Sequence, residues 1–218
     1  EKSSNLGMSK RVLRYDEPVV PQLYRRLGFG QAPGTGFPGE ATGEVPAPVR
    51  WSSSQWAALS YGYGLSVTPL QLASAFTAIA NQGRLLPPSL LRLDEPVARE
   101  QVISPEVARQ VLEMMDKVVE PDTGARRAEV PGYRVAGKTG TVRKTGAGGY
   151  QENAYRGFFV GIAPVSNPRI VAVVMIDHPR GDSYYGGAVA APVFSRVAGS
   201  ALRLLDVPPD QRDLPEAE

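Results

Sequence analysis

At 218 residues the chain has room for one domain with a sizeable core, or for two small ones. Apolar residues make up 42% and charged residues 21%, and 24 basic against 22 acidic residues leave a net charge of +2 with no long run of either sign; this composition excludes a disordered chain, the clustered basic face of a nucleic-acid binder and a basic membrane patch. With no cysteine and one histidine, disulfides, thiolate catalysis and cysteine or multi-histidine metal sites are excluded, and a Ser-His-Asp triad would rest on His178 alone.

In chain order, Ser3-Ser4-Asn5 stands before helical sequence, and Pro18 to Leu27 reads as a short helix closed by Gly28. Gly28 to Val49 is rich in glycine and proline and reads as an ordered loop, and Trp51 to Tyr63 leads into Tyr61-Gly62-Tyr63-Gly64-Leu65-Ser66. The clearest helix has Thr68 as N-cap, Pro69 in its first position and Gly83 just past its end; Leu72, Ala73, Phe76, Ile79 and Ala80 fall on one face. Ser104-Pro105-Glu106 repeats that start signal. Val107, Val111, Leu112, Met115, Val118 and Val119 supply its apolar stripe, and Met114 and Met115 both read as core filler.

After Val130-Pro131-Gly132 the period changes. Tyr133 to Lys144, Ala154 to Ala163 and Arg169 to Asp177 are predicted strands, with links compatible with antiparallel hairpins. Ile170 to Ile176 is apolar on both faces, as in a strand covered by helices on each side, and this longest apolar run is far short of the ~20 residues that cross a bilayer. Pro192 to Leu205 returns to helical spacing through Val193, Phe194, Val197, Ala201 and Leu205. Helices, then strands, then a helix imply an α+β fold, with helices packed on a mostly antiparallel sheet. The expected division is a mostly helical part over residues 1–130, a sheet part with the last helix over 131–207, and a polar tail over 208–218, all within one domain.

Two motifs carry chemistry. Lys138-Thr139-Gly140 lies on the first predicted strand, and Ser3-Ser4-Asn5 lies far upstream; Lys-Thr-Gly and Ser-x-Asn are two of the three signatures of penicillin-binding proteins and class A β-lactamases. The third, the Ser-x-x-Lys that holds the nucleophile, is absent, since no serine is followed three positions later by lysine. Ser-x-Asn alone is weak and Lys-Thr-Gly alone moderately informative. Further segments add to them: Lys2-Ser3-Ser4-Asn5, Gly36-Phe37-Pro38-Gly39-Glu40, Tyr61 to Thr68, Glu152-Asn153-Ala154-Tyr155 and Ala191-Pro192-Val193-Phe194. On these residues, spread over nearly the whole chain, the sequence resembles the C-terminal part of the transpeptidase domain of a class B penicillin-binding protein, in its division-specific, FtsI-like branch.

The resemblance implies the penicillin-binding-protein and serine β-lactamase fold, with helices on both faces of the sheet and with the first strands and the nucleophile helix preceding Glu1. It implies a peptidoglycan D,D-transpeptidase that crosslinks stem peptides at the septum through an acyl-serine and is inhibited by β-lactams. Ser3 would join the serine-lysine proton network, Asn5 would hold the peptide or β-lactam side-chain amide, and Lys138 would add positive potential. Thr139 and Thr141 would grip the terminal carboxylate, Gly140 would leave room for the acyl group, and the N–H of Thr141 would be one of two oxyanion donors. Tyr155, Tyr184 and Tyr185 would line a pocket beside the site or serve the core; Tyr63 stands between packing and binding, and Arg143 and Lys144 between attracting anionic peptide ends and a solvated loop. Ser3 as a turn or cap residue and Lys138 as a solvated strand lysine are the plain alternatives.

No metal or organic cofactor is implied. The implied partners are stem peptides, β-lactams, the upstream part of the same protein, a SEDS glycan polymerase and divisome proteins, in a periplasmic domain anchored to the inner membrane upstream. Rival readings are elongation-specific crosslinking, a β-lactamase, and a non-catalytic β-lactam sensor or divisome scaffold. One of the upstream strands would pair with the last strand here, near Ile170 to Ile176, and without it buried backbone groups lose partners. The 218-residue chain alone is therefore expected to lack a cooperative thermal transition, and a sharp melt of the isolated chain by calorimetry would contradict this.

Overall fold

The computed structural model describes residues 3–15, 19–47, 51–94, 100–120, 123–146 and 148–211. The described residues up to Ser104 form one compact unit, and those from Pro105 onward form a second.

Local capping chemistry sets the helices of the first unit. α1 (Asn5–Val12) is capped by Ser4, whose hydroxyl accepts the N–H of Gly7 at 3.1 Å. On α2 (Val19–Arg26), Tyr24 donates its hydroxyl to the carbonyl of Leu59 at 3.0 Å, on α3 (Ser53–Ser60). α4 (Pro69–Ala80) begins where its sequence predicts: Thr68 and Gln71 form a reciprocal capping box, and Pro69 sits in the first turn. β1 (Arg84–Leu85) and β2 (Glu100–Gln101) then form a two-residue antiparallel ribbon that no alternation in the sequence announces.

The buried line of α4 differs from the predicted one. Gln71, Ala75 and Ala78 are buried, whereas Leu72, Phe76 and Ile79 are half-buried. Gln71 is the reason. Its Oε1 accepts the N–H of Thr68 at 2.8 Å, and its Nε2 donates to the carbonyls of Gln31 and Thr42, both at 2.7 Å. One polar side chain, 2% exposed, thus joins the glycine- and proline-rich loop to the head of α4. A two-bond bridge between Glu44 and Ser66, at 2.8 and 2.9 Å, closes the same loop beside Gly43, where a Cβ would lie 2.3 Å from the Ser66 carbonyl oxygen.

The second unit opens with α5 (Pro105–Asp116), which buries Ala108 and Met115. Met114 is 59% exposed and Val107 44% exposed, so only one of the two methionines is core. Successive helical residues point about 100° apart, so Met114 is turned away from the side on which Ala108 and Met115 are buried. Arg109 bridges Glu106 and Glu113 on the solvent side at 2.8 and 2.6 Å.

β3 (Ala136–Gly146), β4 (Gly149–Ala163) and β5 (Ile170–Asp177) form an antiparallel sheet in that order, followed by α6 (Gly186–Val189) and α7 (Ala191–Leu204). The core gathers Val130, Tyr133, Phe159, Phe194 and Leu202, and Ile170, Ala172, Val174 and Ile176 of β5 pack against it. The other face of β5 is less covered than its wholly apolar sequence predicts: among the described residues Val171 and Val173 are half-buried and Met175 is 39% exposed.

Aromatic rings lie directly on the sheet backbone. A Cβ on Gly137 would stand 2.3 Å from Cζ of Phe159, and one on Gly161 would stand 2.4 Å from Cζ of Phe194. The two rings meet at 5.0 Å between centroids, and both side chains are fully buried. Gly161→Ala must displace the Phe194 ring and is expected to lower the stability of the folded protein by about 1–3 kcal/mol, read as a drop in melting temperature. An unchanged melting temperature would contradict this packing.

Candidate active site

One edge of β3 is paired with β4, and among the described residues no strand pairs with the other edge. Antiparallel pairing engages alternate residues, so every second residue of β3 keeps its N–H and C=O toward the open edge. Lys138-Thr139-Gly140-Thr141 occupies this strand. Thr139 stands opposite Phe159 and Thr141 opposite Gly157, while Lys138 stands opposite Val160 and Gly140 opposite Phe158. Strand alternation therefore puts both threonine side chains on the face that carries Phe159 and α6, and Lys138 on the other.

Small residues let α6 sit on the backbone of that face. A Cβ on Gly186 would lie 2.1 Å from the Phe158 carbonyl oxygen and 2.5 Å from that of Gly140; one on Gly187 would lie 1.9 Å from the Gly124 carbonyl oxygen. From the strand side, a Cβ on Gly157 would lie 2.7 Å from Cγ2 of Val189. This approach brings the N–H of Gly186 to the hydroxyl oxygen of Thr141 at 3.1 Å. A hydroxyl that accepts at one lone pair still has its own proton to donate. The Thr139 hydroxyl has no hydrogen-bond partner among the described residues, and its Cγ2 lies against Gly187.

Lys138 is half-buried, and its ammonium donates to the carbonyl of Thr139 at 2.5 Å. Burial disfavours the charged form and holds its pKa below the usual lysine range. It is not the solvated strand lysine of the plain alternative.

The structure brings the three sequence-predicted tyrosines together. Tyr155 and Tyr184 stack at 3.9 Å with ring planes 9° apart, and Tyr185 follows at 4.6 Å from Tyr184. The Tyr184 hydroxyl donates to that of Tyr185 at 3.4 Å, and this bond is the first cause that pushes the Tyr184 phenol up to about 12. Tyr185 is 60% exposed, and Tyr155 and Tyr184 are half-buried, so none of the three is fully buried in the core. Arg143 stands directly opposite Tyr155 in the β3–β4 register, and its guanidinium lies 6.0 Å from the centre of the Tyr150 ring.

Lys144 is engaged rather than free. Its ammonium reaches Asp177 at 2.9 Å, and Arg156 reaches the second oxygen of the same carboxylate at 3.0 Å. The hydrogen bond from Lys144, then that from Arg156, hold the Asp177 carboxyl below the usual range. The clamp ties the three strands to one another, joining the end of β5 to the middle of β4 and to the last part of β3, near its turn. His178, the first residue past β5, donates its N–H to the Tyr155 carbonyl at 2.9 Å.

In the first unit, Ser4 and not Ser3 takes the cap of α1, leaving Ser3 exposed in front of the helix. Asn5 is the first helical residue, is exposed, and accepts the Ser9 hydroxyl at its backbone carbonyl at 2.8 Å. Tyr63, half-buried, meets the edge of the Tyr61 ring at 5.8 Å. The residues that sequence reasoning missed are Gly157, Gly186 and Gly187, whose only signal is glycine where a strand or helix would disfavour it. No group of histidine, aspartate or glutamate among the described residues could hold a metal ion, and no described helix is long and apolar enough to cross a membrane.

Residues 1–199 match the family model described as the penicillin binding protein transpeptidase domain. The probable peptidoglycan D,D-transpeptidase PbpC of Pseudomonas aeruginosa is 46% identical over 209 residues, which are 95% of this chain and 37% of that protein. The peptidoglycan D,D-transpeptidase FtsI of Escherichia coli is 42% identical over 210 residues, 96% of this chain and 36% of that one. Among solved structures, the apo transpeptidase domain of Burkholderia pseudomallei penicillin-binding protein 3 superposes with a TM-score of 0.88 at 44% identity, covering 96% of this chain and 64% of that chain. The chain thus spans little more than a third of these curated relatives, 37% and 36% of their lengths. With the match running from the Ser-x-Asn segment through the Lys-Thr-Gly strand into α7, the chain belongs to the penicillin-binding-protein transpeptidase domain family, in its class B, FtsI-like branch.

Proposed function

We propose that the protein to which this chain belongs is a serine D,D-transpeptidase that crosslinks peptidoglycan stem peptides at the division septum. The observation that carries this reading is the open-edged β3, with two threonine hydroxyls on one face and a half-buried lysine on the other. The names of the relatives, both peptidoglycan D,D-transpeptidases, support it.

The reaction is two acyl transfers. A serine outside these residues adds to the penultimate D-alanine carbonyl of a donor peptide, the C–N bond breaks, and terminal D-alanine departs with a proton on its amine. An amine of a second peptide then adds to the ester carbonyl, the C–O bond breaks, and the serine recovers its proton. Strand β3 offers a backbone edge along which an extended peptide lies, and Gly140 keeps that edge free of a side chain. The N–H of Thr141 serves as an oxyanion donor. The hydroxyls of Thr139 and Thr141 take the substrate carboxylate, and Thr141 is suited to donate because it already accepts from Gly186. Lys138 supplies positive potential, Ser3 relays a proton, and Asn5 holds the side-chain amide. Tyr155, Tyr184, Tyr185, Tyr63 and Arg143 contact the donor peptide or a β-lactam in its place. The upstream part of the protein, a SEDS polymerase and other divisome proteins are its partners, and an upstream anchor holds the domain in the periplasm.

Peptide mapping of the complete protein after penicillin treatment tests the reading. The expected adduct is on a serine outside these residues; an adduct on any serine within them, or none at all, would overturn it. Thr139→Val is expected to slow acylation by a free-acid penicillin by about tenfold or more, the loss of about 1.5–3 kcal/mol for a hydrogen bond to a charged group. An unchanged rate would remove Thr139 from carboxylate binding. Because burial lowers the pKa of Lys138, its charge is lost at a lower pH than that of a free lysine. The acylation rate is expected to fall on an alkaline limb beneath the ordinary lysine range, and Lys138→Arg, which stays charged, to remove that limb. An identical alkaline limb in both proteins would contradict this role.

A further inference from the structure

We infer that Gly186 is a positioning residue for this reaction, its backbone N–H setting the direction in which Thr141 donates its proton. The inference rests on the proposed transpeptidase reading and extends it to a residue outside the Lys-Thr-Gly strand. Three observations converge on it. The Gly186 N–H lies at the start of α6 and goes to the Thr141 hydroxyl oxygen at 3.1 Å. A hydroxyl holding that N–H cannot turn its own proton toward α6, so the proton points elsewhere. The seat that makes the bond possible admits nothing larger than glycine, since a Cβ would stand 2.1 Å from the Phe158 carbonyl oxygen and 2.5 Å from that of Gly140.

The seat is also held from behind. Gly187 packs on the Gly124 carbonyl, where a Cβ would lie 1.9 Å away, and Arg127 donates to the carbonyl of Ala188 at 3.5 Å. The turn itself is closed by the N–H groups of Ala188 and Val189 on the Tyr185 carbonyl at 2.8 and 3.0 Å. Thr141, β-branched and stiff at its first torsion, thus has its oxygen held by the strand and its proton turned away from α6. A pre-aimed donor binds a carboxylate without first giving up rotational freedom or another partner.

Gly186→Ala would test only the packing, so the experiment removes the N–H without adding a side chain. The ester also weakens the Tyr185 carbonyl as acceptor for Ala188 and Val189, a loss that the Ala188 control reproduces. In the complete protein, Gly186 is replaced by glycolic acid through nonsense suppression, which turns one amide into an ester without adding an atom to the side-chain space. The readout is the ratio of acylation rates for benzylpenicillin and for its methyl ester, which lacks the carboxylate charge. The ratio is expected to fall about tenfold, as it should in Thr141→Val, and the two changes combined should lower it no further. A parallel ester at Ala188 weakens the α6 turn without touching Thr141, and it should slow both substrates alike and leave the ratio intact. A ratio unchanged by the ester at Gly186, or equally changed by the ester at Ala188, would overturn the inference. Absence of acylation in the unmodified protein would instead overturn the transpeptidase reading on which it rests.

Discussion

One-sided pairing of β3 with β4 is the constraint on which the second unit depends. The register decides which residues share a face, and it gathers Gly137, Thr139, Thr141, Gly157, Phe159 and Gly161 on one of them. Glycines there are not neutral gaps. They let two phenylalanine rings and a four-residue helix lie against the backbone itself, at distances no Cβ would permit. The buried face is filled by rings and short turns, while the free edge stays available. Packing of this kind transmits position: a shift of β4 by one residue would exchange the faces of Gly157 and Phe158 and put a phenylalanine ring where α6 sits.

The first unit solves a different problem. A loop rich in glycine and proline has many backbone groups and little apolar surface to order it. Its order comes from polar contacts: the buried Gln71 amide, the Glu44–Ser66 bridge, and the Glu40 carboxylate that accepts the N–H groups of Gly34 and Thr35 at 3.0 and 2.9 Å. The Thr35 hydroxyl and these amides hold the Glu40 carboxyl below its usual range. Its negative charge is thereby kept where backbone donors need it.

What the sequence made legible follows the range of the forces involved. α4 was readable because its cap and proline act within four residues, and the three strands because short β-rich runs bounded by polar or glycine- and proline-rich turns are local signals. Lys138-Thr139-Gly140 was readable as a motif, and its strand assignment stands. The burial of Gln71 was not readable, since its partners lie 29 and 40 residues away and a polar residue breaks an apolar stripe on paper. Lys144 read as a possible anion attractor, yet Asp177, 33 residues on, takes its charge. α6 is too short to show a period, so its hold on Thr141 was invisible until the strand register fixed both. Met114 shows the converse error: its apolar character reads as core, yet it faces away from the side that buries Ala108 and Met115.

The account's central claim is that β3 is the wall along which the acyl group lies. The most direct test is a crystal structure of the complete transpeptidase domain acylated by benzylpenicillin. The account predicts the β-lactam side-chain amide along the open edge of β3, with its carboxylate within hydrogen-bond distance of both Thr139 and Thr141 hydroxyls and the Gly186 N–H still on Thr141. A carboxylate held by other residues, or an adduct lying away from β3, would contradict it.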